Sequence, residues 1–320
     1  MTDQEGREKA VPPPRAHGGD AGSLALALGV SPNEILDLSM TMNPLARDVV
    51  PLVRRAADSV RRYPDPDVAT AAFAEAIGTQ ADRLLLTNGG AEAIALVAME
   101  LGEAEIIEPE FSLWRRHLRG TDVGVTAGTR RVRSNPNNPT GMLARDDEVA
   151  QCWDEAFFPL ATGRWTRGDA DRDAIVVGSL TKLFACPGLR LGYVITPNLE
   201  VRERLLRSQI MWSVNALALA VLPELIAGIR LEKWASEISS LRSSLATIFV
   251  SRGFVVDVAD APWILVRDAV WLREALARQR ILVRDCASFG LDETVRIAVP
   301  GSKALKRVAQ ELDRVLDARR

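Results

Sequence analysis

A lysine just past an apolar run, with two hydroxyls before it and an arginine eight positions beyond, is a set that can do chemistry. Residues 174–178 (AIVVG) read as a strand, and Ser179-Leu180-Thr181-Lys182 follow directly. Arg190 comes in the run Pro187-Gly188-Leu189-Arg190-Leu191-Gly192-Tyr193. A side chain at the carboxyl end of such a strand can reach into a crevice. Partial desolvation there lowers a lysine's pKa and frees its amine to attack a carbonyl. Ser179, Thr181 and Arg190 supply the hydroxyls and the cation that suit a phosphate dianion. Taken alone, the same residues could be a surface lysine and an ordinary ion-paired arginine, so other segments must add to them.

Five other segments do. Asn88-Gly89-Gly90-Ala91 opens a helix after the strand at 83–87 (RLLLT). The glycines let the backbone approach a ligand, and the helix start favours an anion, so this segment is a natural phosphate seat, or else a simple helix-entry turn. In residues 134–141 (SNPNNPTG), two X-Pro steps hold the backbone extended before the turn at Gly141. Asn138 can then present its amide to a phenolate oxygen. Asp154, in Asp154-Glu155-Ala156-Phe157, ends an apolar run. Buried against a pyridine-type nitrogen it would favour the protonated ring and make that ring an electron sink; its ordinary alternative is a helix cap. Phe111, in Glu108-Pro109-Glu110-Phe111, offers a face to stack on a flat ring. Arg296 interrupts the apolar run 295–299 (VRIAV), where it could clamp a carboxylate bidentately or simply face outward.

These residues need a scaffold, and its elements can be read from periodicity. Residues 67–77 have the pattern of an amphipathic helix, 105–108 (EIIE) and 191–196 (LGYVIT) of strands, and 198–250 of long helices. Strands alternating with helices predict an α/β domain with a mainly parallel sheet covered on both faces. From about residue 254, short strands (FVVDV, WILV, VRIAV) mix with helices near 270–279 and 303–318, which predicts a smaller α+β domain. The first 15 or so residues mix glycine, proline and charge without apolar periodicity and read as a flexible arm.

Composition narrows the function classes. A chain of 320 residues with 47% hydrophobic and 26% charged residues can bury a full core, in one larger and one smaller domain. A net charge of −2 argues against a nucleic-acid partner, and the cluster Arg130, Arg131 and Arg133 reads as a solvated face. Cys152, Cys186 and Cys286 lack metal or disulfide spacing, which fits a reducing cytoplasm. No run approaches the roughly 18 apolar residues of a membrane span, and the charged, proline-rich start lacks a signal-peptide core. With only His17 and His117, neither a histidine metal site nor a Ser-His-Asp triad is expected.

In this order and spacing, the six segments resemble the class I/II pyridoxal-phosphate aminotransferases over roughly residues 17–300. The resemblance implies the aspartate-aminotransferase-like architecture, fold type I, with an arm at 1–16, a large cofactor-binding domain at 41–213, and a small domain from 17–40 and 214–320. It implies that Lys182 holds pyridoxal 5'-phosphate and later moves a proton, and that Asp154 pairs with the ring nitrogen. Asn138 would meet the ring oxygen, Phe111 would stack, and Gly90, Ala91, Ser179, Thr181 and Arg190 would hold the phosphate. Arg296 would take the substrate's α-carboxylate, with His17 and Asn138 as further substrate contacts.

Two subgroups resemble this chain most, the histidinol-phosphate aminotransferases and the threonine-phosphate decarboxylases of cobalamin synthesis. His17-Gly18-Gly19-Asp20 and Phe157, which stands where many aminotransferases have tyrosine, favour the second. Both subgroups have the pattern Arg62-Tyr63-Pro64-Asp65-Pro66, whose tyrosine reaches the neighbouring subunit's phosphate, so Tyr63 implies a homodimer with shared sites. The expected activity is therefore decarboxylation of a small phosphorylated amino acid, with histidinol-phosphate transamination as the alternative and a non-catalytic scaffold of the same fold as a third. Gly141 and Asp154 are close in sequence and the stretch between Phe111 and Asn135 is compressed, so one large-domain helix is expected to be missing or reduced.

Overall fold

The structure is a computed structural model that describes residues 10–14, 18–121 and 131–320. The chain divides into two compact units. The smaller comprises the described residues of Met1–Thr41 with Ser240–Val258 and Trp263–Arg320, and the larger Met42–Ser239 with Ala259–Pro262.

The smaller unit opens with a segment that is held down. Val11 packs on a cluster of Leu24, Ala25, Ile35, Ala277 and Leu282, and Arg273 donates to the Pro12 carbonyl at 2.9 Å. This part of the expected flexible arm is therefore docked, because Val11 is an apolar residue with an apolar surface to cover. Helix α1 (Ala21–Leu28) stops at Gly29, whose φ of 68° is the left-handed turn that glycine adopts at little cost. Strand β1 (Leu36–Asp37) follows, and the chain enters the larger unit.

There, helices α2 (Val50–Arg55) and α3 (Asp67–Ile77) precede strand β2 (Leu84–Asn88), which runs straight into α4 (Gly89–Leu101). Helix α5 (Ser112–His117) leads toward β3 (Val132–Ser134) and β4 (Cys152–Asp154). A short α6 (Phe158–Thr162) precedes β5 (Ile175–Ser179), α7 (Leu180–Leu183) and β6 (Leu191–Ile195). Helices α8 (Leu199–Ser208) and α9 (Ala216–Ala227) come next, and α10 (Leu231–Val250) carries the chain into the other unit. The expected division at 213/214 falls instead at 239/240, because α9 packs against α3 of the larger unit.

The sheet of this unit has the order β2-β6-β5-β4-β3. The ladders β3–β4 and β4–β5 are parallel, whereas β6 is antiparallel to both β5 and β2. Four strands thus share one direction and only β6 opposes them. The link from β5 to β6, α7 and a turn at Pro187–Leu189, is too short to be the dozen-residue crossover that a parallel neighbour usually needs. Beyond β3 the described residues continue the pairing as isolated bridges, Glu105 to Arg131 and Glu103 to Gly120. The strand expected at 105–108 does not form. Ile106 and Ile107 are flanked by glutamates and followed by Pro109, which has no N–H for a ladder.

Alternation along the strands sorts their side chains onto two faces. Leu85, Val132, Cys152, Ile175, Val177 and Val194 pack with α4, with Trp114 of α5 and with Leu205 of α8. On the other face, Phe73 of α3 meets Tyr193 edge-on at 4.9 Å between ring centroids, and Trp165 meets Phe73 at 5.3 Å. Residues 135–151 join the parallel strands β3 and β4 without a helix, as the short spacing predicted. A layer of arginines and carboxylates covers this part of the sheet instead. Arg133 and Arg167 lie over the buried Trp153 ring at 5.8 and 4.5 Å, Arg131 and Arg133 pair with Glu148 at 2.9 and 3.0 Å, and Arg167 pairs with Asp169 at 3.1 Å. The expected solvated face is therefore corrected for Arg131 and Arg133, which are largely shielded because Trp153 and Glu148 need covering; Arg130 lies outside the described residues.

Back in the smaller unit, β7 (Val256–Val258) and β8 (Trp263–Val266) are followed by α11 (Leu272–Arg278), β9 (Ile281–Leu282), β10 (Arg284–Asp285) and β11 (Val295–Ala298). An antiparallel sheet runs in the order β10-β11-β8-β7, and β9 pairs in parallel with β1. Helix α12 (Ser302–Asp317) buries Leu305, Val308, Leu312 and Val315, an apolar stripe at helical spacing.

Candidate active site

The junction of β2 and α4 gathers groups that can seat an anion. Gly89 has a φ of +76°, and a Cβ there would lie 2.5 Å from an Arg190 guanidinium nitrogen, so Arg190 rests directly against it. The Cβ position of Gly90 is 3.3 Å from Ser179 Cβ, and Ser179 Oγ lies 2.7 Å from Thr181 Oγ1. The four residues Gly90, Ser179, Thr181 and Arg190 thus come together at the start of the 13-residue α4, with Ala91 next along. A cation, hydroxyls and open helix N–H groups at one place fit a phosphate. Arg190 itself has a φ of 55°, a conformation that costs an L-residue about 1–3 kcal/mol and persists where the surroundings enforce it. Gly192 is part of that enforcement, since a Cβ on it would collide with the Gly89 backbone and lie 2.6 Å from Gly90 N.

Lys182, in α7, is half-buried, and its turn is pinned from outside. Asn43 N donates to the Lys182 carbonyl at 3.0 Å, and Asn43 Nδ2 donates to the Leu183 carbonyl at 2.9 Å. Asp154 ends β4 in a buried position, and burial pushes its carboxyl up to about 7. The Ala156 N–H, which donates to it at 3.0 Å, opposes the rise; the like charge of Glu110 adds to it; the nearby Lys182 charge again opposes it. A carboxyl so raised gains from a cation set against it, as a protonated ring nitrogen would be. The site therefore fits pyridoxal phosphate at both ends, phosphate and ring.

The ring contacts expected from the sequence are on nearby segments. Asn138 and Phe157 are buried, and Phe111 packs partly buried against the main core cluster. The loop carrying Asn138 is tied to the end of β4 by Asn135 N, which donates to the Asp154 carbonyl at 2.8 Å. Its turn is closed by Thr140 Oγ1 donating to Asn137 Oδ1 at 2.7 Å. Tyr63 is 78% exposed and lies against Trp212, ring centroids 4.5 Å apart and planes tilted by 31°, beside a groove of about 730 Å³ that Ile210, Met211 and Leu206 help to line. His17 lies outside the described residues, although Gly19 N donates to Ser39 Oγ at 3.1 Å close by in sequence.

In the smaller unit, Arg296 is buried and its side chain lies over Trp263 at 4.9 Å and Phe289 at 5.8 Å. It does not face outward. Burial, reinforced by the charge of Arg284, brings its pKa down to about 10, against the opposing influence of Cys286. Arg284 stands directly opposite it in the β10–β11 ladder and is also buried. Arg284 was not among the residues singled out from the sequence, although an arginine after the apolar residues 281–283 gives the same signal as Arg296 within its apolar run. Glu110, buried although Glu108 nearby is exposed, was likewise not singled out.

The profile of class I and II aminotransferases matches residues 132–312. The threonine-phosphate decarboxylase of Salmonella typhimurium is 30% identical, over 94% of this chain and 96% of that protein. A histidinol-phosphate aminotransferase of Methylococcus capsulatus is 27% identical over 88% and 90%. The adenosylcobalamin biosynthesis bifunctional protein CobDQ of Leptospira interrogans is 26% identical over 94% of this chain and 40% of its own. The Salmonella alignment spans 358 positions, whereas 94% of 320 residues is about 301, so roughly 57 positions have no counterpart in this chain. The helix-free link from β3 to β4 accords with such a loss. Among solved structures, the fold resembles histidinol-phosphate aminotransferase from Sinorhizobium meliloti in complex with pyridoxal-5'-phosphate, with a TM-score of 0.79 at 15% identity over 94% and 95% of the two chains. It likewise resembles L-threonine-O-3-phosphate decarboxylase from Porphyromonas gingivalis, at 0.74 and 21% over 88% and 100%. With the profile covering more than half of its length and a relative matching nearly all of it, the chain belongs to the class I and II aminotransferase family of enzymes.

Proposed function

We propose that this protein is a pyridoxal-phosphate enzyme acting on a small phosphorylated amino acid, with decarboxylation of O-phospho-L-threonine in cobalamin biosynthesis as its reaction. The observation that carries the substrate class is the pair Arg284 and Arg296, two buried guanidinium groups set opposite each other in one ladder. Two such groups suit a molecule with two anionic ends, a carboxylate and a phosphate. The similarity to the Salmonella decarboxylase supports the reaction. Histidinol-phosphate transamination is the second reading, favoured by the Methylococcus relative.

In this proposal Lys182 Nζ holds the cofactor and afterwards carries the proton to or from the substrate. Asp154 keeps a proton on the ring nitrogen, Asn138 donates to the ring oxygen, and Phe111 stacks on the ring. Gly90, Ala91, Ser179, Thr181 and Arg190 hold the cofactor phosphate. Arg296 binds the α-carboxylate, Arg284 the substrate phosphate, and His17 and Asn138 are further substrate contacts. Pyridoxal phosphate, when bound, supplies an electron sink that weakens the bonds at an amino acid's α-carbon. The residues that grip the substrate decide which bond is weakened, since the one perpendicular to the ring overlaps best with it. Phe157, with no hydroxyl, leaves the ring oxygen to Asn138.

Tyr63, exposed on its groove, is assigned to a second copy of the chain, where it would contact the cofactor phosphate across a homodimer. Free thiols at all three cysteines fit a cytoplasmic enzyme.

The test is the absorbance of the purified protein with pyridoxal phosphate, before and after O-phospho-L-threonine, histidinol phosphate and glutamate are added separately. A band near the visible edge that is lost in Lys182→Ala, with carbon dioxide and aminopropanol phosphate released from the first substrate, is the expected result. Glutamate formed from histidinol phosphate and 2-oxoglutarate would select the second reading. Absence of any band would leave a non-catalytic scaffold.

A further inference from the structure

We propose that Glu110 is a positioning residue for the cofactor ring: its buried carboxylate fastens together the segments that carry Phe111 and Asn138, and its negative charge acts on Asp154. This rests on the assignment of Asp154 to the ring nitrogen made above.

The geometry gathers four donors on one carboxylate. Ser134 N donates to it at 2.9 Å, Ser134 Oγ donates to it as well, Phe111 N donates at 2.6 Å, and Asn137 Nδ2 approaches at 3.4 Å. Asn137 Nδ2 also donates to the Pro109 carbonyl at 3.0 Å. Glu110 thus ties the loop before α5 to the last residue of β3 and to the turn that precedes Asn138. The proposed stacking ring belongs to a residue it binds, and the proposed ring-oxygen donor is the chain neighbour of another. Because the crossover after β3 has no helix to brace this turn, these contacts are its bracing from the α5 side.

The second effect is electrostatic. Burial raises the Glu110 carboxyl, while Ser134, the Phe111 N–H and the Arg133 charge oppose that rise. Ser134, which binds Glu110, stands opposite Asp154 in the β3–β4 ladder; the charges of Arg133 on β3 and Lys182 on α7 act on Glu110 and Asp154 respectively, and Asp154 in turn acts on Cys152 of β4 and Tyr193 of β6. Like charges in one buried site cannot both ionise freely. When Glu110 is an anion, Asp154 keeps its proton to higher pH, and cofactor affinity falls below that pH because Asp154 must first ionise to hold the ring nitrogen.

The experiment is the dissociation constant of pyridoxal phosphate for the full-length apoprotein between pH 5.5 and 9, together with apoprotein melting temperature. The wild type, Glu110→Gln, Glu110→Asp, Ser134→Ala and Asp154→Asn are compared. Glu110→Gln removes the charge and should lower the pH midpoint of affinity by about one unit. Ser134→Ala, which withdraws a hydroxyl that steadies the Glu110 charge, should move it the same way by less. Glu110→Asp keeps the charge but shortens the reach, so the midpoint should stay while affinity falls about tenfold at every pH. Unchanged midpoints in both Glu110→Gln and Ser134→Ala would overturn the electrostatic role, whatever happens to melting temperature. Wild-type affinity in Glu110→Asp would overturn the fastening role. A midpoint that survives in Asp154→Asn would instead overturn the assignment of Asp154, a separate failure.

Discussion

Asp154 and Glu155 are consecutive and both buried, and each is pushed up to about 7 chiefly by burial. Glu155 accepts from Arg167 N at 3.1 Å, so the two carboxyls are held by different neighbours. Their folded-state values exceed those of an unfolded chain, so between about pH 4 and 7 the native protein binds more protons than the unfolded one. Stability from these groups is greatest below that window and falls as pH rises through it. The apoprotein should therefore lose urea-unfolding midpoint between pH 5 and 7.5, and Asp154→Asn or Glu155→Gln should each flatten that loss. A slope identical to wild type in both variants would show that neither carboxyl titrates in this range. In the smaller unit, Arg296→Ala and Arg284→Ala should each raise KM for the phosphorylated substrate about 10- to 100-fold, the worth of a charge-assisted hydrogen bond. The candidates Lys182, Asp154 and Arg190 could be named from the sequence because each lies at or just beyond a strand end inside a local pattern. Arg284 carried the same apolar-run signal as Arg296, but its pairing with Arg296 lies in the register, and register belongs to a folded ladder rather than to a string of residues.

At the scale of elements, the joint between β3 and β4 is the unusual part of the larger unit. Trp153 is fully buried there, and Arg167 covers it while bonding to the carbonyls of Arg145 at 3.3 Å and Glu148 at 2.6 Å. One guanidinium thus joins a loop, a strand and an ion pair. Arg167→Ala should cost about 2–4 kcal/mol in urea unfolding, since it removes a shielded cation–π contact and leaves Asp169 with less of its compensation. Arg167→Lys should recover little, because an ammonium cannot stack and fork at once. Gly192→Ala should be more damaging, about 4 kcal/mol or more, as the collision is with backbone rather than with a movable side chain. The long helices and the apolar strands were readable from periodicity. The segment at 105–108 was misread because two isoleucines between glutamates carry too little pattern to separate a strand from an edge that makes single bridges.

Across the whole molecule, the first change of unit, at 41/42, follows a short strand and precedes a proline-bearing loop. The second was displaced, since nothing local in α9 tells which unit its apolar side will meet. The groove beside Tyr63 and Trp212, with Ile210 and Met211 exposed, is an apolar area of the kind that a second subunit covers. Met211→Glu should shift sedimentation from dimer toward monomer and weaken pyridoxal phosphate binding in parallel. A monomeric wild type, or a variant that stays dimeric, would remove the shared-site proposal.

The backbone contact between Gly192 and Gly89 has a kinetic side. It locks the start of α4 to the strand that follows Arg190, so the anion seat exists before anything occupies it. Loading of pyridoxamine phosphate, which forms no bond with Lys182, should then be a single bimolecular phase whose rate rises linearly with its concentration and falls with ionic strength, with no slow isomerisation trailing behind. A second, concentration-independent phase in stopped-flow traces would mean that the seat assembles only as it is filled.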